Sequence, residues 1–322
     1  MGRGSGVSAG GPTFFVQTGT AVFFAGRQLQ PHAASPARSV LATKAGRRLR
    51  QRAGDATSRR TRSKRDNCAQ VLLALGSCSR MNTTQIHEIA PDLFRLCIYV
   101  PDLNMQFNHF LVRDDEPLLF HAGLKAMFPA LREAVGRLIE PARLRHIAWS
   151  HFESDECGAL NEWLQLAPRA QPVCTLVGKL VNVDDFAIRP ALGMTAADLL
   201  VTGKCRFRFH RSPHIPHGWD AGVLFEETRK TLFCSDLFHH FGNVEPLTTS
   251  DLIAPTQAAM KKMQQGPLAG YMPYMRQTEI VLRSLADLKP ATLAVMHGSS
   301  YQGQCDQLLS QLAGAIKEEF DK

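Results

Sequence analysis

The sequence predicts a layered α/β (α+β) protein, and three observations carry that expectation. Short apolar runs of strand length alternate with stretches whose apolar residues recur at three- and four-residue spacing. Several strand-like runs end in His, Asp or Glu followed by a turn or a glycine, where layered α/β proteins carry their sites. The densest such end, Trp149-Ser150-His151-Phe152-Glu153-Ser154-Asp155-Glu156-Cys157-Gly158, places one imidazole and three carboxylates within six residues. Core or surface does not ask for that density, but a loop wrapped around one or two metal ions does.

In chain order, residues 86–100 are expected to form two strands broken at the Pro91-Asp92 turn. Runs 108–112 and 118–121, separated by Arg-Asp-Asp-Glu-Pro, read as a hairpin. The spacing of Phe128, Leu131, Val135 and Leu138 predicts a helix over 126–139. A short buried strand over 146–149 leads into the acidic loop, and a helix over 157–166 follows with Leu160, Trp163 and Leu164 on one face. A strand is expected at 173–177, a helix at 179–186 and a half-buried strand at 201–209, where Val201, Cys205, Phe207 and Phe209 alternate. Residues 212–220 form a proline-stiffened turn carrying His214 and His217. Strands over 221–226 and 231–234 are joined by a charged hairpin, and the second ends in Ser235-Asp236. Helices at 250–265 and 273–287, a strand at 291–296 ending in His297-Gly298, and an amphipathic helix at 308–320 complete the pattern.

Composition narrows the function classes. Hydrophobic residues make up 44% and charged residues 20% of the 322, as in soluble globular proteins. No apolar run approaches the ~18 residues of a membrane span, so no membrane role is expected. The net charge of +8 is unevenly distributed: residues 1–80 hold 14 Lys/Arg against 2 Asp/Glu, leaving 23 against 27 in 81–322. The basic character therefore belongs to the leader, and no nucleic-acid partner is expected for the body. The leader itself cannot bury enough apolar surface to fold alone. It reads as an organellar transit peptide, as a nucleic-acid-binding arm, or as no natural part of the protein. The last is favoured because patterned globular sequence begins near Met81, making 81–322 the domain. Eight cysteines with irregular spacing and no C-x-x-C pair point to free, mostly buried thiols and a reducing, cytoplasmic location. Cys157 is the one candidate for a reactive thiol, against the plainer reading of a small packing residue.

Four strand ends thus carry candidate ligands: His151/Glu153/Asp155/Glu156, His214/His217, Asp236 and His297. Mixed imidazole and carboxylate suits first-row transition metals, and a two-metal site needs a bridging carboxylate. Asp236, alone at its strand tip, fits that bridge.

This order of residues, His-x-Glu-x-Asp, then His, then Asp, then His, resembles the metallo-β-lactamase superfamily, as does Asn-x-Phe-Leu-Val…Pro-Leu-Leu-Phe-x-x-Gly before it. The resemblance covers essentially all of 85–322 and implies the four-layer αββα sandwich of that superfamily. Hydrolases of the superfamily carry His-x-His-x-Asp-His and bind zinc. Glu153 in place of the second His is similar to the flavodiiron and oxygen-binding di-iron proteins. His217-Gly218-Trp219-Asp220 echoes their His-Trp-Pro-Asp motif, and Met296-His297-Gly298 their Ser-His-Gly. The resemblance implies one metal on His151, Glu153 and His217, a second on Asp155 and His297, and Asp236 between them. The pattern departs at Glu156, where those relatives have His. Glu156 is either a further ligand or an acid in a helix's first turn, favoured by the dipole. His214 is the alternative to His217, which its Trp-Asp context favours. His121 stands where the superfamily has the Asp of an Asp-x-Gly turn, as a hydrogen-bonding partner of the ligands or a turn residue. Tyr301 could donate to a bound oxygen species or simply pack. His239-His240 read as solvated loop residues at the rim, and His87, His109, His146 and His210 as structural.

The implied cofactor is two iron ions, with zinc or manganese as alternatives. No Gly-rich FMN loop is visible, so the resemblance is to the stand-alone type. The implied function is binding or reduction of O2 or a related small oxidant, either as an oxygen sensor or binder or with a separate electron-donor protein. A homodimer is the candidate assembly, since related proteins pair head to tail. Dinuclear hydrolysis of a thioester, lactone or phosphodiester is the competing reading.

Overall fold

The structure, a computed structural model, describes residues 83–321; the basic leader and the expectations attached to it lie outside the described residues.

Two seven-stranded sheets form the frame. The first runs in chain order: β1 (Gln85–Ala90), β2 (Leu93–Val100), β3 (Met105–Val112), β4 (Leu118–Phe120), β5 (His146–Ala148), β6 (Gln171–Thr175) and β7 (Leu192–Met194). Its first four strands are antiparallel hairpins, and β4 to β7 are parallel. Parallel neighbours need crossovers. They are supplied by α1 (Phe128–Gly136), then by α2 (Ser154–Cys157) and α3 (Leu160–Leu166), then by a helical stretch over 176–186.

The second sheet comprises β8 (Leu200–Val201), β9 (Arg206–Arg211), β10 (Gly222–Glu226), β11 (Thr231–Ser235), β12 (Leu247–Thr248), β13 (Thr292–Val295) and β14 (Ser300–Gln302). Their spatial order is β12-β14-β13-β11-β10-β9-β8. Its outer helices are α4 (Ile253–Gln264), α5 (Thr278–Asp287) and α6 (Cys305–Phe320).

Strand alternation decides which face each residue covers. On β3, Phe110 and Val112 point between the sheets, joining Phe207, Phe209 and Phe233. Phe107 and Leu111 point the other way and pack with Leu131, Val135 and Trp163 of the outer helices. Across the molecule, Leu282, Leu285, Leu308 and Leu312 cover Val223, Leu232 and Val295. The result is helix, sheet, sheet, helix, the predicted four-layer αββα sandwich. Among the described residues all six cysteines are free and buried, and no helix is long and apolar enough to cross a membrane.

Two predicted elements are broken, each by a local competitor for backbone hydrogen bonds. The expected helix over 157–166 splits at Gly158-Ala159. There the chain bonds to the 121–123 turn instead of itself: Ala159 N donates to the Gly123 carbonyl (2.8 Å), and the Glu156 carbonyl accepts from Ala122 N (2.7 Å). Trp163 Nε1 adds a bond to the Ala122 carbonyl (2.9 Å).

The expected strand over 201–209 is interrupted at 202–205 because the Asp114 carboxylate captures its donors. Asp114 Oδ2 accepts from Thr202 Oγ1 (2.8 Å), Lys204 N (2.9 Å) and Cys205 N (2.9 Å). Gly203 sits inside this turn at φ +129°, where a Cβ would come within 2.7 Å of Asp115. Burial alone would raise the Asp114 carboxyl, but these bonds hold it down to about 2. Asp114→Ala strands the two backbone donors and is expected to cost about 2 kcal/mol of stability at pH 7. The folded carboxyl lies below its unfolded value of about 3.9, so this contribution is present above that pH and fades as pH falls toward 2. Denaturation curves of wild type and variant should therefore converge in acid. Equal stability at pH 7 would show that the carboxylate does not hold the turn.

Candidate metal centre

The first loop leaves β5 and is held open by its neighbours. Phe152 N donates to Asp220 Oδ2 (3.0 Å), and the Ser150 carbonyl accepts from Gly222 N (3.1 Å). These bonds tie the loop to the 212–220 turn and bring His217 over it. His151 Nε2 lies 3.0 Å from Glu153 Oε2 and 2.9 Å from His217 Nε2, while His217 Nε2 lies 2.7 Å from the same Glu153 oxygen. Asp236 Oδ2 completes this group at 3.7 Å from His151 Nε2 and 3.4 Å from His217 Nε2.

Asp236 follows β11 at a break in register with β13. Ser235 there turns through a positive φ of 52°. The other Asp236 oxygen, Oδ1, lies 3.2 Å from His297 Nε2, which is 3.3 Å from Asp155 Oδ2. The ligand atoms form two groups, His151/Glu153/His217/Asp236 and Asp155/Asp236/His297, with Asp236 in both.

The donor set fits a pair of cations. His151 Nε2 and His217 Nε2 lie 2.9 Å apart and both face Glu153 Oε2, a crowding of ring nitrogens around one carboxylate oxygen that a cation between them would relieve. Asp236 Oδ1 is buried without a well-formed hydrogen bond. Charge tells the same story. Burial would lower the His151 pKa, but Glu156, Glu153 and Asp236 lift it to about 10. Burial likewise opposes a rise at His297, which Asp155 and Asp236 lift well above the ordinary value. Hydrogen bonds from His151 and His217 hold Glu153 down to about 2. Protons on the imidazoles thus neutralise carboxylates in a place where bound cations would do so, and metal uptake must release them.

Neighbouring groups aim the ligands. His297 donates its Nδ1–H to the Gln106 carbonyl (2.9 Å), which turns Nε2 toward Asp155 and Asp236. The Gly298 carbonyl accepts from Asn108 Nδ2 (2.8 Å) and from Nη2 of Arg95 (3.0 Å), a fully buried cation between the sheets. Gly298 itself has φ +119°, and a Cβ there would lie 2.2 Å from the His240 ring. Gly298→Ala is expected to cost about 3 kcal/mol through strain and overpacking and to weaken metal binding at His297. Wild-type stability in a denaturant titration would contradict this reading of the turn.

Several predicted residues sit outside the two groups. Glu156 turns inward: its Oε2 accepts from Ser150 N (2.8 Å), and its Oε1 accepts from the Ser235 hydroxyl. It is fully buried, and burial pushes its carboxyl up to about 7. His121 donates Nδ1–H to the Asn108 carbonyl (3.1 Å) and faces Glu156 with Nε2 at 3.4 Å, so it supports the site from beneath. His214 adopts φ +62° and bonds through its backbone to Gly218; it joins neither group. Tyr301 packs in the core under α5 and α6, away from the ligands. The Cys157 thiol is buried and donates to the Glu153 carbonyl, and burial raises its pKa, which fits the plainer reading of a small packing residue.

His239 and His240, expected to be solvated, are 2% and 4% exposed. His240 Nε2 accepts from Ser299 N (3.0 Å). His239 Nε2 lies 2.9 Å from the Tyr271 hydroxyl, and both line a chamber of about 560 Å³ above the ligands. Sequence reading missed Tyr271. It lies 32 residues from its partner in a loop without periodicity, and no local signal marks it.

Comparison with known proteins places the fold. The signature described as ODP family beta lactamase matches residues 105–298. Over 254 residues the chain is 25% identical to a protein of Thermosynechococcus vestitus described as a diflavin flavoprotein A 1, covering 74% of this chain and 43% of that one. Among solved structures it is similar to the rubredoxin oxygen:oxidoreductase of the anaerobe Desulfovibrio gigas, with TM-score 0.62, 18% identity, and 71% of this chain and 62% of that one covered. It is also similar to the flavodiiron protein of Giardia intestinalis, with TM-score 0.57, 16% identity, and 73% and 59% covered. At these identities the structural likeness speaks for the fold. The chain spans less than half the length of the curated relatives it matches.

Proposed function

This chain belongs to the ODP family of β-lactamase-fold proteins, and from that premise we propose that it holds two iron ions and binds or reduces O2 or a related small oxidant. The observation that carries the reading is the shared Asp236 between two His/carboxylate groups, with Glu153 where zinc hydrolases of the fold have His. His151, Glu153 and His217 would hold one ion, Asp155 and His297 the other, with one Asp236 oxygen turned to each. Such a pair supplies redox electrons and Lewis acidity when bound. The chain's own groups set the conditions. Glu153, Asp155 and Asp236 add three negative charges, which favour the higher-valent metal. The Tyr271 hydroxyl and His239 Nε2 are hydrogen-bonded (2.9 Å) on the chamber wall, within reach of a ligand in the chamber. Apolar side chains line the chamber above the ligands.

Electrons come in this reading from a separate donor protein, and the assembly is a homodimer. The test is to load the protein with iron, reduce it without oxygen, and mix it with O2 while following the near-ultraviolet band. Stoichiometric re-oxidation is expected. Iron-loaded protein inert to O2, together with thioester or lactone turnover by the zinc-loaded form, would favour the hydrolase reading instead.

A further inference from the structure

The chamber above the ligands is far larger than a diatomic oxidant needs. Its volume of about 560 Å³ falls in the range of organic-ligand pockets, roughly 300–1,000 Å³. At about 30 Å³ per water-sized group it has room for at most some 15–20 heavy atoms. Its composition is two-sided. The floor is the ligand set, with Glu153, Asp155, Asp236, His217 and His297 exposed to the cavity. Most of the wall is apolar, formed by Met105, Phe107, Leu124, Phe241, Met263 and Leu268, with Tyr271 and His239 as its polar part. Phe107 also packs edge-on against His297 with ring centroids 5.0 Å apart, so the apolar wall begins directly at a ligand. Leu268 is 52% exposed, leaving apolar surface in water at the rim.

We propose that this chamber binds a medium-chain aliphatic carboxylate, of roughly eight to twelve carbons by its volume, with the carboxylate head on the metal floor and the chain along the apolar wall. Charge favours an anionic head. Three carboxylates and three neutral imidazoles around two divalent ions leave the floor net positive, and an oxygen anion suits the exposed face of such ions. Without the ions, the same floor offers the head no metal to bind, only Glu153, Asp155 and Asp236 beside the imidazoles. Binding of the chain-bearing anion should therefore depend on the metals, whereas a purely greasy cleft would hold it either way. The proposal rests on the two-metal reading for its head and on the chamber walls for its tail, and the two parts separate experimentally.

The experiment is calorimetric titration of decanoate and of acetate into the full chain, metal-loaded and metal-free, with metal content counted in the same samples. Decanoate is expected to bind the loaded protein at least tenfold more tightly than acetate, and to lose that binding when the metals are removed. The double variant Met263→Gln with Leu268→Gln, at rim positions that do not hold the ligands, should weaken decanoate about tenfold through lost apolar contact and leave acetate unchanged. Two ions bound with decanoate no tighter than acetate overturns the chamber assignment and leaves the metal centre standing. Decanoate binding that the double variant does not alter also overturns it. Decanoate held equally well by metal-free protein removes the metal-bound head. A chain that binds no metal at all overturns the two-metal reading itself.

Discussion

Asp236→Ala is expected to strip both metal ions from the protein together, taking bound metal from two per chain to none. Asp236 is the one carboxylate that belongs to both ligand groups, with Oδ2 turned to His151 and His217 and Oδ1 to His297. Removing it takes a donor from each ion and leaves their mutual repulsion unscreened. The contrast is His217→Ala, which touches only the first group and should lower occupancy at that position while His297 and Asp155 still hold the second. His214→Ala should leave both ions in place, because His214 lies in neither group. Metal counting after gel filtration distinguishes these outcomes. Two ions retained by Asp236→Ala would show that the carboxylate is not the bridge.

The second large effect concerns Glu156 and is one of stability. Its buried carboxylate ties Ser150 before the first loop to Ser235 at the end of β11, so it pins together the two strand ends that carry His151 and Asp236. Glu156→Ala leaves the Ser150 N–H and the Ser235 hydroxyl without their acceptor and opens a cavity under the loop, at a cost of about 3–5 kcal/mol. Glu156→Gln keeps an acceptor for Ser150 and the side-chain volume, and should recover much of that loss while holding two ions. Loss of one ion in the glutamine variant, with folding intact by circular dichroism, would make Glu156 a ligand and overturn its placement as a scaffold group.

Glu156 also marks the limit of what the residues declare by themselves. Asp155 and Glu156 are neighbours in α2, and consecutive helical side chains point about 100° apart. One faces the cavity and the other the interior, and spacing alone does not say which. By contrast, the first loop was legible because its ligands are local. His151 and Glu153 alternate on extended backbone, and Asp155 follows in the first helical turn. Asp236 and His297 were legible because each directly follows an apolar strand run. His217 was separable from His214 by the Trp-Asp that follows it. Nothing local reveals the groups that meet only in three dimensions: Tyr271 with His239, Arg95 with the Gly298 carbonyl, Gln106 with His297. The layers were readable from period, but β8 and β12 span two residues each, too short for any alternation to register. The strand over 201–209 was overcalled because its breaker, Asp114, sits about ninety residues away in sequence.

In the proposed reading the fold holds two ions, both iron, across Asp236. The most direct measurement is elemental analysis of the protein purified in air, taken with its absorption spectrum. Close to two iron atoms per chain are expected, with a near-ultraviolet and visible band that disappears on reduction. Two zinc atoms per chain, no iron and a featureless spectrum would contradict it.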